Sequence, residues 1–239
     1  MAYQKKVELL CIPFAGGMSY TYLTWKKYLP ENIELVPIEL AGRGKRYKDD
    51  LIYNMNDMVS DIFEHIKDII SENEYVLFGH SMGSTIAYEL AKLIKKSGCK
   101  EPLHIIYSGR LAPHLNDYYR KVSDNTDNCF FEEVYKLGGT PKEVYDVKEL
   151  RAMYIPVLKA DFFLLEHYEC CDQIKPFDGN ISIFYADKDE NTMSSALEEW
   201  RKYSNKECSF YMFSGEHFFI KYQQENVVNK IVNIIMQYC

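Results

Sequence analysis

Residues Tyr75 to Gly83 read YVLFGHSMG: an apolar run passes into Gly-x-Ser-x-Gly, and from Ser84 the pattern turns helical, STIAYELAKLIKK. A serine hydroxyl is a weak nucleophile until a base takes its proton, and it must protrude where a carbonyl carbon can reach it. A sharp turn from strand into helix provides that protrusion. It also strains the backbone and presses strand against helix, so residues without a Cβ are needed on either side. Gly79 and Gly83 occupy those two positions. Ser81 is therefore the expected nucleophile, and the N–H of Met82, opening the helix, is the expected first donor to a substrate oxyanion.

A nucleophile on such a turn takes its partners in the chain order Ser, Asp or Glu, His. Of the six histidines, order removes His65 and His80; His104 lies in a predicted strand, and His114 and His167 lie in a helical stretch. His217, in FSGEHFFI, follows the last apolar strand and precedes the final helix. A loop there overhangs the carboxyl edge of the sheet, where open α/β sheets bind ligands, so His217 is the expected base. For the acid, IFYADKDEN supplies Asp187, Asp189 and Glu190 just after the preceding strand. One carboxylate suffices to fix the imidazole tautomer and stabilise the imidazolium. Asp189, further into the loop, is the expected acid and Asp187 its rival. The second oxyanion donor is expected from the loop after the first strand, Pro13-Phe14-Ala15-Gly16-Gly17, at the amide of Phe14 with Ala15 as the alternate.

Working outward, short apolar runs rich in β-formers recur: VELLCI from Val7, IELVPI from Ile33, LHIIYSG from Leu103, ISIFYAD from Ile181 and CSFYMFSG from Cys208. Continuous apolar character, in place of alternation, marks strands covered on both faces, as in a parallel sheet flanked by helices. MNDMVSDIFEHIKDII, from Met55, sets Met55, Val59, Ile62, Phe63, Ile66, Ile69 and Ile70 on one helical stripe, and ENVVNKIVNIIMQY from Glu225 repeats the pattern. The expectation is one α/β domain over residues 1–239 with a mostly parallel central sheet flanked by helices. The rhythm breaks over about 111–169, where helical stretches carry aromatic residues and no strand is evident. A helical block inserted between core strands is read as a cover over the site, an ordinary extra helical layer being the alternative. Phe130, Phe131, Tyr135, Tyr154, Phe162 and Phe163 lie in it.

Composition excludes several classes. The net charge is −7 and no long basic run appears, so nucleic acid is not an expected partner. No run approaches the ~18 apolar residues of a membrane span, and Glu8 interrupts the first apolar run, which reads as a strand and not an export signal. Seven cysteines, Cys170 and Cys171 adjacent among them, show no metal-ligand spacing. They are expected to be reduced thiols in a cytoplasmic protein without a bound metal. Gly42-Arg43-Gly44-Lys45-Arg46 lacks the spacing of a phosphate loop and reads as a structural turn.

CIPFAGG, LAGRG, FGHSMG, LGGTPKEV, DFFLLEHY and FSGEHFFI stand in an order that resembles the type II thioesterases accompanying nonribosomal peptide and polyketide synthases, within the α/β-hydrolase superfamily. The similarity covers essentially the whole chain; this chain has Ala41 where the family's loop has proline. The resemblance implies Ser81 as nucleophile, His217 as base and Asp189 as acid, with the helical block at about 111–169 as a lid. It also implies hydrolysis of acyl groups from the phosphopantetheine arm of peptidyl or acyl carrier proteins, with no cofactor beyond the substrate's own arm and with the enzyme acting as a monomer. Carrier proteins are usually acidic, so a local basic patch is expected near the entrance, with Arg110, Arg120, Lys121 and Lys159 as candidates. A carboxylesterase or lipase with the same triad, and a non-catalytic binding protein, are the competing readings.

Overall fold

The computed structural model describes residues 6–118, 122–170, 173–190, 192 and 195–239. Six strands, β1 (Val7–Ile12), β2 (Ile33–Pro37), β3 (Glu74–His80), β4 (His104–Ser108), β5 (Asn180–Ala186) and β6 (Cys208–Phe213), form one sheet in the order β2-β1-β3-β4-β5-β6. Every neighbouring pair is parallel, with Leu9 between Leu35 and Val76 and Tyr107 between Gly79 and Ile183 fixing the register. The "mostly parallel" sheet is thus wholly parallel among the described residues.

The continuous apolar runs are explained by two cores. Side chains alternate across the pleat. Leu10, Ile12, Leu77, Ile105 and Ile183 face a core closed by helices α1 (Met55–Glu72) and α2 (Met82–Lys96). Leu9, Cys11, Phe78, Ile106 and Phe184 face the opposite core, closed by the 3₁₀ helix Ser19–Tyr28 and by a C-terminal helix over Gln224–Ile235. The stripe on α1 is as expected, with Phe63 and Ile69 at its half-buried margin. Asn54 caps that helix by accepting from the Asp57 amide at 2.9 Å. The edge strands β2 and β6 are only partly covered, which sequence runs of unbroken apolar character do not reveal.

Between β4 and β5 come α3 (Asp127–Tyr135), α4 (Lys142–Asp146) and α5 (Lys148–Glu166), with no strand among the described residues. They enclose a third apolar cluster of Phe130, Phe131, Val134, Tyr154, Leu158 and Phe162, against which Ala15 and Met18 of the core domain pack. After β6 come a single turn, α6 (Phe219–Tyr222), and α7 (Gln224–Ile235).

The chain runs from β1 to β2 on one side and later to β3 on the other, so the carboxyl ends of β1 and β3 border a crevice at the point where strand order reverses. The loop 13–17 and Ser81 both emerge there.

His104 illustrates how the sheet buries polarity. Its Nδ1 shares a 2.9 Å hydrogen bond with the Tyr238 hydroxyl and its Nε2 a 2.8 Å bond with Ser182 Oγ. Burial pushes its pKa down to about 4. Below the ordinary value of about 6.5 the unfolded chain therefore binds a proton that the folded chain refuses. The associated stability is complete above pH 6.5 and is lost as pH falls toward 4. In urea titrations the stability advantage of the wild type over His104→Gln should shrink by on the order of 3 kcal/mol between pH 7 and pH 4. A constant difference would show that the ring titrates normally.

Candidate active site

Ser81 has φ 53° and ψ −116°, the one non-glycine residue with positive φ among the described residues. Such a conformation costs roughly 1–3 kcal/mol and persists only where its surroundings over-determine it. Here the Ser81 amide donates to Ser108 O at 2.7 Å and the Ser84 amide to Ser81 O at 2.9 Å. The flanking glycines serve close approach and not positive φ. A Cβ on Gly79 would lie 2.1 Å from the Gly83 carbonyl oxygen, and one on Gly83 would lie 2.3 Å from Ile12 O. Ser84, which carries no signal in the pentapeptide, fastens the turn: its Oγ lies 2.8 Å from Gly79 O and accepts from the Ser108 amide at 2.9 Å.

The structure brings the three expected side chains together. Ser81 Oγ lies 3.0 Å from His217 Nε2, and His217 Nδ1 lies 2.8 Å from Asp189 Oδ2. A carboxylate only accepts, so Nδ1 carries the proton and Nε2 is left to accept from Ser81. The Asp189 side chain is 1% exposed and that of His217 12%, which removes competing water from the carboxylate and leaves the imidazole edge accessible. Asp187 is occupied elsewhere: its Oδ1 accepts from the Gly215 amide at 2.7 Å and so braces the turn that carries His217. Met82 opens α2, and Phe14 lines the same cavity as Ser81 and His217.

His80, beside Ser81 in sequence, is fully buried. Its Nδ1 shares a 2.9 Å bond with Ser108 Oγ, and its ring centre lies 5.2 Å from that of His217. Burial holds its pKa well below the usual imidazole value, so no second cation forms next to His217.

Arg43 of the glycine-flanked turn is buried and forms a two-pronged ion pair with Asp161 of α5, Nη1 to Oδ2 at 2.6 Å and Nη2 to Oδ1 at 2.7 Å. The turn is structural, as its sequence suggests, and Gly42 and Gly44 adopt φ 77° and 51°. The same Asp161 Oδ2 accepts from the Gly16 amide at 2.7 Å, and Tyr154 donates its hydroxyl to Gly16 O at 2.6 Å. Helix α5 thus holds the loop that carries Phe14. A lone carboxylate on an apolar helix face, LKADFFLL, was the available sign of this network. Asp161→Asn would leave the guanidinium buried with its countercharge gone, and a loss of about 3–5 kcal/mol is expected in denaturant unfolding. Pairing Arg43→Met with Asp161→Leu should recover much of it. No recovery would show that the damage lies in the Gly16 bond and not in the uncompensated charge.

A small cavity of about 50 Å³ contains Ser81 and His217 and is walled by Val134, Phe162, Leu165 and Phe218. Phe162 alone of the six aromatics expected from sequence faces it. Phe130 and Phe131 fill the interior of the helical block, and Phe163 is exposed against Tyr53 and His167. Of the four candidates for the expected basic patch, Arg110 is buried and Lys159 is paired with Asp127 at 2.7 Å, while Arg120 and Lys121 lie outside the described residues. A cavity of about 530 Å³ beside Tyr88, Lys95 and Phe177 contains no residue of this site. Among the described residues no helix is long and apolar enough to cross a membrane and no cluster of three His, Cys, Asp or Glu could hold a metal.

A parallel sheet with a serine on the turn after β3, approached by a histidine from the loop after β6, defines an α/β-hydrolase. A family model for the thioesterase domain matches residues 7–235, and the chain belongs to that family. The gramicidin S biosynthesis protein GrsT of Aneurinibacillus migulanus is 31% identical, over 97% of this chain and 91% of its own. The medium-chain S-acyl fatty acid synthase thioesterase of Rattus norvegicus is 29% identical, over 94% and 86%. The crystal structure of ClbQ from the colibactin NRPS/PKS pathway superposes with a TM-score of 0.93 at 32% identity, covering 98% of each chain. The chain is a thioester hydrolase of the α/β-hydrolase fold.

Proposed function

We propose that this thioesterase removes acyl or aminoacyl groups from the phosphopantetheine arm of peptidyl or acyl carrier proteins, as an editing enzyme beside a nonribosomal peptide or polyketide synthase. The observation that carries the reading is the Ser81–His217–Asp189 hydrogen-bonded row at the floor of an apolar cavity. Its support from relatives is that GrsT is named for gramicidin S biosynthesis and ClbQ for a colibactin NRPS/PKS pathway.

In this reading Ser81 Oγ attacks the thioester carbonyl while its proton passes to His217 Nε2, and Asp189 stabilises the imidazolium through Nδ1–H. The amides of Met82 and Phe14 hold the tetrahedral oxyanion. The C–S bond breaks, the carrier thiolate takes the proton from Nε2, and an acyl ester remains on Ser81. Water, deprotonated by His217, then attacks that ester; the acid leaves and Ser81 recovers its proton. The helical block at about 111–169 acts as a lid over this chemistry, and the cycle balances without a metal or redox cofactor.

Turnover of a panel of acylated carrier proteins, measured beside the corresponding acyl-coenzyme A thioesters, tests the proposal. Higher kcat/KM on the carriers is expected. Equal values on both would remove the carrier from the account.

A further inference from the structure

The cavity of about 530 Å³ lies between the carboxyl-terminal half of α2 and residues 174–178, which lead into β5. It stands apart from the triad: Lys96, which lines it, ends α2 at the pole opposite Met82, roughly 20 Å away at ~1.5 Å per residue. Its size falls within the range of about 300–1,000 Å³ that small-molecule sites occupy. The floor is apolar and largely aromatic, built from Tyr88, Ala91, Tyr107, Ile174, Pro176 and Phe177. Around it stand Lys92, Lys95, Lys96 and Lys175, against two lining carboxylates, Glu101 and Asp178. That local excess of positive charge runs against a chain whose net charge is −7.

We propose that this cavity is a second binding site, for a free amphipathic carboxylate whose apolar body lies on Ala91, Ile174 and Phe177 and whose carboxylate accepts from the Tyr107 hydroxyl, with Lys175 as its countercharge.

Tyr107 is the first observation. It is 1% exposed, its ring stacks on Trp200 at 4.2 Å, and its hydroxyl has no hydrogen-bond partner among the described residues. Burial pushes its pKa well above the ordinary phenol value, so the oxygen keeps its proton and offers a donor to whatever fills the cavity. The second is Lys175. The other lysines are accounted for within the fold: Lys92 is bound to Glu89 at 2.6 Å, Lys95 to Asp178, and Lys95 and Lys96 stand in the last turn of α2, where cations offset the helix dipole. Lys175 lies on another segment, is exposed and makes no ion pair among the described residues. Its amide donates to the Tyr88 hydroxyl at 3.4 Å, which brings it to the aromatic wall that Tyr107 shares. The third is the match of chemistry. One orphan donor and one unpaired ammonium suit a monoanion with two acceptor oxygens, whereas a phosphate dianion would ask for more donors. The apolar floor gives the rest of such a ligand a surface to leave water for.

Titration with octanoate tests this, with octan-1-ol as the uncharged control. Hydrolysis of an acyl thioester itself releases a carboxylate, so the cavity at the triad is first closed by phosphonylating Ser81 with a fluorophosphonate. Ligand-observed NMR on the blocked protein should show one octanoate bound per chain, with octan-1-ol held about tenfold more weakly. Tyr107→Phe should weaken octanoate by roughly tenfold without lowering the Tm of the unliganded protein, because the hydroxyl has no partner to lose. Lys175→Glu should weaken octanoate about fivefold and leave octan-1-ol unchanged. Ala91→Trp and, from an exposed position, Asn205→Trp should abolish binding by filling the cavity. The proposal is overturned by a blocked protein that binds no octanoate, by equal affinities for octanoate and octan-1-ol, or by octanoate binding that survives both Trp variants. Octanoate affinity unchanged in both Tyr107→Phe and Lys175→Glu overturns it as well, without placing a large side chain in the cavity.

Discussion

Ser81→Ala is expected to lower kcat on an acylated carrier by on the order of 10⁶, and His217→Ala by a similar factor, because nucleophile and base act as a unit and losing either forfeits nearly all they achieve together. The double variant should be scarcely worse than either single one. The fold should survive. The hydroxyl's hydrogen bond goes to His217, whereas the turn is held by the Ser81 and Ser84 amides, by Ser84 Oγ and by the close approach of Gly79 to Gly83. Ser81→Gly supplies a second check. It should be as inactive as Ser81→Ala yet more stable by about 1 kcal/mol, since glycine alone adopts φ 53° without steric cost. Activity near wild type in either Ser81 variant would end the nucleophile assignment.

Asp189→Asn should lower kcat by roughly 10³–10⁴ with little change in KM, because an amide at that position lets the imidazole take the wrong tautomer and withdraws the charge that stabilises its protonated form. Asp187→Asn should be far milder on kcat. Its carboxylate accepts from the Gly215 amide, so the amide variant strains the turn before His217 and its main effect should appear in thermal stability. Measuring kcat and Tm for the two variants side by side separates the roles. The reverse ranking in kcat would transfer the acid's part to Asp187.

The difference between these two aspartates shows what sequence can and cannot carry. IFYADKDEN places several carboxylates at the correct edge of the sheet, and chain order narrows the base to His217, because both depend on position along the chain. Which carboxylate turns toward the imidazole depends on how the loop after Ala186 folds back, with the Asp189 amide donating to Ala186 O at 3.3 Å and the Thr192 amide to Asp189 O at 2.9 Å. That is tertiary geometry. The strands were readable because two apolar cores leave no polar face on β1, β3, β4 or β5; Cys208–Phe213 was readable in position but not in its exposure, since edge status is set by strand order. The Arg43–Asp161 pair joins residues 118 apart, and no local pattern announces a partner at that distance. Lys221 was hidden for the same reason. Its burial between Phe14 and Phe218, which lowers its pKa to about 8, exists only once the loop at Gly139 lies across it.

The buried network also ties the helical block to the loop that carries Phe14. Asp161 and Tyr154 of α5 bind Gly16 on both its amide and its carbonyl, and Leu158 packs where a Gly16 side chain would project.

In the proposed function, Ser81 and its partners act on a thioester presented by a carrier. The most direct measurement is kcat/KM for an acylated carrier protein beside an oxygen ester of the same acyl group. A clear preference for the carrier thioester is expected, with loss of both activities in Ser81→Ala. Faster turnover of the oxygen ester, with the acylated carrier left untouched, would contradict it and make the chain a small-molecule esterase.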